Sequence, residues 1–190
     1  FNKPRSIAML YSLITLFPVI VAIMMRHNFL SVYIVPFAMV PMFVRVFMDS
    51  RTAFISHVTM LLICTIAVRY QYEFIIIQIV AGLIAIYSLR ELTRRAQVFK
   101  TGILVAMGSA LVYLALQMIQ DNDFTIMDHD MYYHFVVNGV LLLLAYPLMY
   151  IIEKMFGFVS SVTLFELSNT NRGLLRDLSE IAPGTFQHSI

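Results

Sequence analysis

Asp128, His129, Asp130 and His134 crowd two carboxylates and two imidazoles into one short stretch. Oxygen and nitrogen donors of this kind bind divalent cations. Their spacing argues against a site, because His129 and His134 fall at i, i+5, and ligands on one helix face recur at i, i+4. With Asp121 and Asp123 just upstream and no Lys or Arg among them, these residues read better as a solvated acidic loop. The other polar side chains that could do chemistry are scattered through apolar sequence: His57, Gln78, Gln117 and Asn138. Each suits an interhelical hydrogen bond, worth about 0.6 kcal/mol inside a membrane. Cys64 lies in an apolar run and reads as a small buried hydrophobe, since the only cysteine of the chain cannot form an internal disulfide. His188, taken alone, is one ligand without a site.

The elements that must position these groups follow from composition. The chain has 190 residues, 60% hydrophobic and 13% charged, and its mean hydropathy is +0.82. A soluble domain carries about 25% charged residues, so a water-soluble globule is excluded. A balance of 13 Lys and Arg against 11 Asp and Glu gives no reason to expect nucleic acid as a partner. Crossing roughly 30 Å of hydrocarbon takes about 20 apolar residues in a helix. Six such runs are present: Ser6 to Met25, Phe29 to Met48, Ala53 to Arg69, Tyr72 to Leu89, Val98 to Gln120 and Tyr132 to Phe156. They predict an all-α membrane protein, a polytopic helical bundle of six spans joined by short loops. Pro18, Pro36, Pro41 and Pro147 fall inside runs, where each removes a backbone donor. They read as packing kinks, with hinges or a lined cavity as the alternative.

Basic residues set the orientation, because positive loops stay in the cytoplasm. Lys3, Arg5, Arg45, Arg51, Arg90, Arg94, Arg95, Lys100, Lys154, Arg172 and Arg176 fall on one side of a six-span arrangement, and Arg26, Arg69 and the acidic loop on the other. Both ends are therefore expected in the cytoplasm. Phe1 is not a Met and the chain enters a span almost at once, so it reads as cut from a longer polypeptide.

Beyond the last run the pattern changes. Phe158 to Leu167 is weakly amphipathic, Ser168 to Gly173 is rich in turn formers, and Leu174, Leu175, Leu178 and Ile181 form an apolar stripe that ends at Pro183 and Gly184. The wording here carries a resemblance. Leu164-Phe165-Glu166-Leu167-Ser168-Asn169, then Leu174-Leu175-Arg176, then Ala182-Pro183-Gly184-Thr185-Phe186-Gln187-His188-Ser189-Ile190 closely resemble the junction of the bacterial seven-transmembrane HD phosphohydrolases. In that family a membrane module runs through an "LLELS…PLL" connector into "APGTYxHS", which opens a cytoplasmic HD domain that hydrolyses cyclic di-AMP. Phe186-Gln187 stand where the family often has Tyr-His, and Gly173 where it often has Pro. The match is specific over residues 164–190; upstream it rests on span number, orientation and basic loops.

The resemblance implies a transmembrane bundle over residues 1–157, lacking the first of seven helices, cytoplasmic connector helices over 158–182, and the start of an HD domain at 183–190. It implies His188 as a metal ligand, a divalent metal pair (Mn or Fe) in the parent's HD domain, cyclic di-AMP as the parent's substrate and the bacterial inner membrane as location. The adjacent His-Asp pair that names the family has no counterpart on the cytoplasmic side of this sequence, so the chain by itself is expected to be catalytically inactive. Asp128-His129-Asp130 has the letters but falls on the outer side. A homodimer is a further expectation; small residues such as Ala81, Gly82, Ala85, Gly102, Ala106 and Ser109 allow close helix contacts without naming a partner, and GxxxG is absent. A transporter or permease subunit, in which Pro18, Pro36, Pro41, Gln78 and Asn138 line a pathway, and a structural subunit of a membrane complex remain the other readings. If the connector passes movement to the HD domain, replacing Pro183 or Gly184 changes the parent's phosphodiesterase rate and leaves membrane insertion intact. Unchanged kinetics in both variants would remove the connector from the mechanism.

Overall fold

The computed structural model describes residues 3–27, 30–89, 96–120 and 130–157. All regular structure among them is helical: α1 (Lys3–His27), a single 3₁₀ turn (Val32–Ile34), α2 (Met39–Phe47), α3 (Ser50–Thr65), α4 (Gln71–Ser88), α5 (Ala96–Gln120), α6 (Asp130–Leu142) and α7 (Ala145–Phe156). Its surface is inverted relative to a soluble protein. Ile7, Leu16, Val19 and Ile23 of α1 and Ile103, Met107 and Leu111 of α5 are exposed, whereas Ser56, His57, Gln78, Thr101, Ser109 and Asn138 are buried. Apolar side chains outside and paired polar groups inside are what a hydrocarbon solvent demands.

By length and composition α1, α4 and α5 can each cross a membrane, and α6 with α7 makes a fourth crossing if that bent pair is one span. Six uninterrupted spanning helices are therefore not what the apolar runs produce. The run from Phe29 to Met48 divides into the 3₁₀ turn, an extended stretch and the nine-residue α2. Pro36 causes the division: proline drives the residue before it out of the helical region, and Val35 sits at φ −65°, ψ 124°. Pro41 is tolerated because it is the third residue of α2, where a backbone N–H has no intrahelical acceptor. The run from Tyr132 to Phe156 breaks for the same reason. Pro147 offers no N–H to the Leu143 carbonyl, and α6 and α7 meet at 42° across Leu143 and Leu144. Pro18, by contrast, lies within a continuous α1, which fits the packing-kink reading. The 16 residues of α3 extend for about 24 Å, short of a full crossing by length alone.

The divided segment occupies the centre. Val32, Tyr33, Val35 and nearly every residue from Phe37 to Val44 are buried. Around it, α2 packs on α3, α4 and α7, the 3₁₀ turn packs on α6 and α1, and α4, α5 and α6 pack in succession. The carboxylate of Asp49 starts α3, accepting from the Thr52 hydroxyl at 2.6 Å and the Thr52 N–H at 3.0 Å. These bonds hold its pKa below the ordinary carboxylate range.

Two glycine contacts set how closely the helices approach. A Cβ on Gly139 of α6 would lie 2.9 Å from the Gly102 carbonyl oxygen of α5, and one on Gly102 would lie 2.8 Å from the Gly139 oxygen. Backbone therefore meets backbone there. On α4, a Cβ at Gly82 would run into the imidazole of His57. His57, fully buried on α3, donates Nε2–H to the Gln78 carbonyl at 2.8 Å. A carbonyl only accepts, so the proton is on Nε2 and Nδ1 is left as an acceptor without a partner. We expect Gly82→Ala to cost about 1–3 kcal/mol of stability by overpacking, and to cost much less in a His57→Ala background. Thermal unfolding of the four proteins in detergent gives the coupling; an equal loss in both backgrounds would place the strain elsewhere.

Candidate functional site at the broken span

Interrupting a helix inside an apolar bundle frees backbone groups, and each one left unsatisfied away from water costs several kcal/mol. Local bonds serve the donors. The Ser31 hydroxyl oxygen accepts from the Tyr33 N–H at 3.4 Å, the Ser31 carbonyl from Ile34 at 3.1 Å, and the Val32 carbonyl from Val35 at 3.1 Å. Phe37 N–H donates to the Val35 carbonyl at 2.9 Å, and Met39 N–H to the Pro36 carbonyl at 3.0 Å. A side chain from another helix completes the set. Asn138 of α6 donates from Nδ2 to the Tyr33 carbonyl at 2.9 Å and to the Val35 carbonyl at 2.8 Å. The amide nitrogen has two hydrogens, so both are used, and facing two acceptors determines which way the amide points. Asn138 and His57 thus make interhelical bonds of the kind their isolation in apolar sequence suggests.

Aromatic rings extend from this junction in both directions. Tyr33 meets Phe74 of α4 edge-on at 6.2 Å and Phe135 of α6 at 6.0 Å. Phe37 meets Phe74 at 5.2 Å and Phe17 of α1 at 5.9 Å. Tyr113 of α5 meets Phe135 at 5.8 Å and Tyr132 at 5.6 Å. Edge-to-face pairs contribute about 0.5–1.5 kcal/mol beyond their buried area, so they tie α4, α5 and α6 to the broken segment, and the tilted Phe17–Phe37 pair adds α1.

Beside Tyr33 opens a polar chamber of about 520 Å³, whose lining includes Arg69, Glu73, Tyr113, Gln117 and His134. It lies where α1, α3 and α5 end and α4 and α6 begin. The Tyr33 hydroxyl and the His134 Nδ1 are buried there without hydrogen-bond partners. The Arg69 guanidinium sits 5.7 Å from the Tyr70 ring centroid. One cation, one carboxylate and several neutral donors and acceptors suit such a chamber to binding a small polar molecule. In the sequence Gln117 stands out as a polar residue within an apolar run, His134 as part of the acidic stretch and Arg69 as one of two basic residues on the expected outer side. Tyr33, Glu73 and Tyr113 do not: Glu73 reads as an acid favouring the first turn of α4, and tyrosines are common at membrane interfaces.

Asp121, Asp123, Asp128, His129 and His188 lie outside the described residues, as do the connector over 158–182 and the stretch 183–190. Asp130 and His134 are both on α6. Among the described residues no three of His, Cys, Asp and Glu come together to hold a metal ion. The described residues therefore do not offer the ligand set of a metal pair.

Comparison with known proteins addresses the same module. Residues 1–160 match a family described as a 7TM receptor with intracellular HD hydrolase. The cyclic-di-AMP phosphodiesterase PgpH of Bacillus subtilis is 28% identical, over 99% of this chain and 28% of that protein. The protein of the same name from Listeria monocytogenes is 25% identical, over 83% of this chain and 23% of that protein. An uncharacterised protein of Synechocystis is 33% identical over 63% of this chain and 15% of its own length. The chain thus spans between 15% and 28% of the length of these relatives. No solved structure matches it. The helices that carry the broken span, the aromatic chain and the chamber all fall inside the matched residues, and the chain belongs to the family of 7TM receptors with intracellular HD hydrolase.

Proposed function

We propose that this chain is the membrane module of a cyclic di-AMP phosphodiesterase, anchoring the catalytic domain and passing the state of the bundle to it. The family match over residues 1–160 carries this reading, together with the names of the Bacillus and Listeria relatives. The module itself is inactive in hydrolysis. His188 serves as one ligand in a metal pair, Mn or Fe, completed by the parent's HD domain.

In this reading the bundle crosses the bacterial inner membrane six times with both ends in the cytoplasm. The divided segment counts as one crossing, because 3₁₀ and extended backbone cover more length per residue than α-helix. Two observations support it. Arg5, near the start of α1, packs on Gly157, at the end of α7, so both lie at one end of the bundle. Arg5, Arg45, Arg51 and Lys154 fall at that end of a six-pass path, as positive-inside retention requires.

The broken segment is the element suited to transmission, since a side chain of a neighbouring helix completes its backbone bonding. Asn138→Leu removes both donors, and we expect it to lower bundle stability by about 1–3 kcal/mol and to change the parent's hydrolysis rate several-fold in membranes. The test compares cyclic di-AMP turnover by the reconstituted parent, wild type and variant, with its soluble catalytic domain as reference. Wild-type turnover from a correctly inserted Asn138→Leu protein would reduce the module to an anchor. Absence of cyclic di-AMP hydrolysis by the wild-type parent would remove the phosphodiesterase reading itself.

A further inference from the structure

A second cavity, about 660 Å³, runs along the outside of α1 between the broken segment and α6–α7. Its walls are almost wholly apolar, with Leu13, Phe17, Pro36, Phe43, Leu148 and Ile152 among them. Leu16, Leu30 and Ile151 on its rim are exposed, so the groove opens sideways, toward lipid in a membrane. It follows α1 from Met9 to Met24, about 22 Å at the helical rise. Spread over that length, its volume gives a cross-section of about 30 Å², room for one extended hydrocarbon chain. A single hydrocarbon chain fits along it.

One end of the groove is charged. Met155 and Phe156 also line a smaller recess formed by Pro4, Arg5, Ala8, Lys154 and Gly157. Gly157 is left-handed at φ 67°, and the Arg5 Nη1 lies 2.8 Å from where a Cβ would be, so the glycine both turns the chain and admits the guanidinium. Glu153, the neighbour of Lys154, does not line the recess. An apolar wall alone does not select an occupant in a bilayer, because acyl chains are as apolar as the side chains they would touch. The two cations do select. We infer that this groove is a binding site for an anionic phospholipid, with one acyl chain along α1 and the phosphate at Arg5 and Lys154.

The test uses the full-length parent reconstituted with traces of phosphatidylglycerol or phosphatidylcholine bearing a photoactivatable group on one acyl chain, with cross-links mapped by peptide mass spectrometry. The expected result is labelling of Leu13, Leu148 and Ile152 that favours phosphatidylglycerol about fivefold or more. That preference should disappear in the R5Q/K154Q double variant and persist in R5K/K154R, and in R51Q, which removes a cation away from the groove. Equal labelling by the two lipids in wild type, or a preference that survives R5Q/K154Q, would overturn the proposal. So would a groove that neither lipid labels, since a protein segment would then cover it. The charge-conserving variant separates loss of the site from loss of the fold, and none of the readouts depends on hydrolysis.

Discussion

Two hydrogen bonds from one amide make the centre of this bundle possible. The backbone between Ser31 and Met39 leaves α-helical geometry at the centre of the bundle, where Tyr33 and Val35 are buried and their carbonyls need partners. Asn138 supplies donors to Tyr33 and Val35 from a helix more than a hundred positions away in sequence. Everything packed on the segment inherits that dependence: the edge-on contacts of Tyr33 and Phe37, the seating of α2 against α3 and α4, and the position of Tyr33 at the polar chamber. An apolar residue at position 138 could fill the same volume, but it could not replace the donors.

Such precision has to come from packing, because the hydrophobic effect does not hold helices together in lipid. The bundle uses close backbone approach instead. Gly102 and Gly139 let α5 and α6 touch carbonyl to Cα, one residue from Asn138, so the contact that draws α6 in also sets the depth of the amide. On the other side of the segment, His57 reaches the Gln78 carbonyl only because Gly82 leaves the space. Ser88 and Thr101 bond at 2.6 Å between α4 and α5. Each polar contact is paired with a small residue nearby, which lets a short side chain span the gap.

Much of this was legible in the sequence, for identifiable reasons. Continuous apolar length is a one-dimensional signal, and α1, α4 and α5 follow their runs to within a few residues. The wording of residues 164–190 pointed to the family that the match over residues 1–160 then showed. Prolines were visible but ambiguous. Pro18 and Pro36 have the same local chemistry, yet one is accommodated inside a helix and the other ends it. At Pro36 the nearby Tyr33 and Val35 carbonyls are taken up by Asn138, a partner that sequence spacing does not report. The chamber was less legible still. Arg69 comes from the loop between α3 and α4, and Glu73, Tyr113 and His134 come from three different helices; each has an ordinary local explanation as a span-end or interfacial residue.

The two ends of the bundle differ in a way that bears on how it could act. At one, a polar chamber borders the broken segment through Tyr33; at the other, α1 and α7 converge on Arg5 and Gly157. A change at the first end can reach the second only through an element with more than one stable arrangement. A continuous helix such as α5 is a poor candidate, because its backbone bonds are all its own and survive a shift of its neighbours. The segment from Ser31 to Met39 differs, since part of its bonding belongs to α6. Moving α6 relative to α4 must either carry the segment along or exchange the Asn138 bonds for others. α6 also leads, across the break at Leu143 and Leu144, into α7, the last described helix before the connector. Asn138 thus links the broken span to the helix pair that runs to the far end of the bundle.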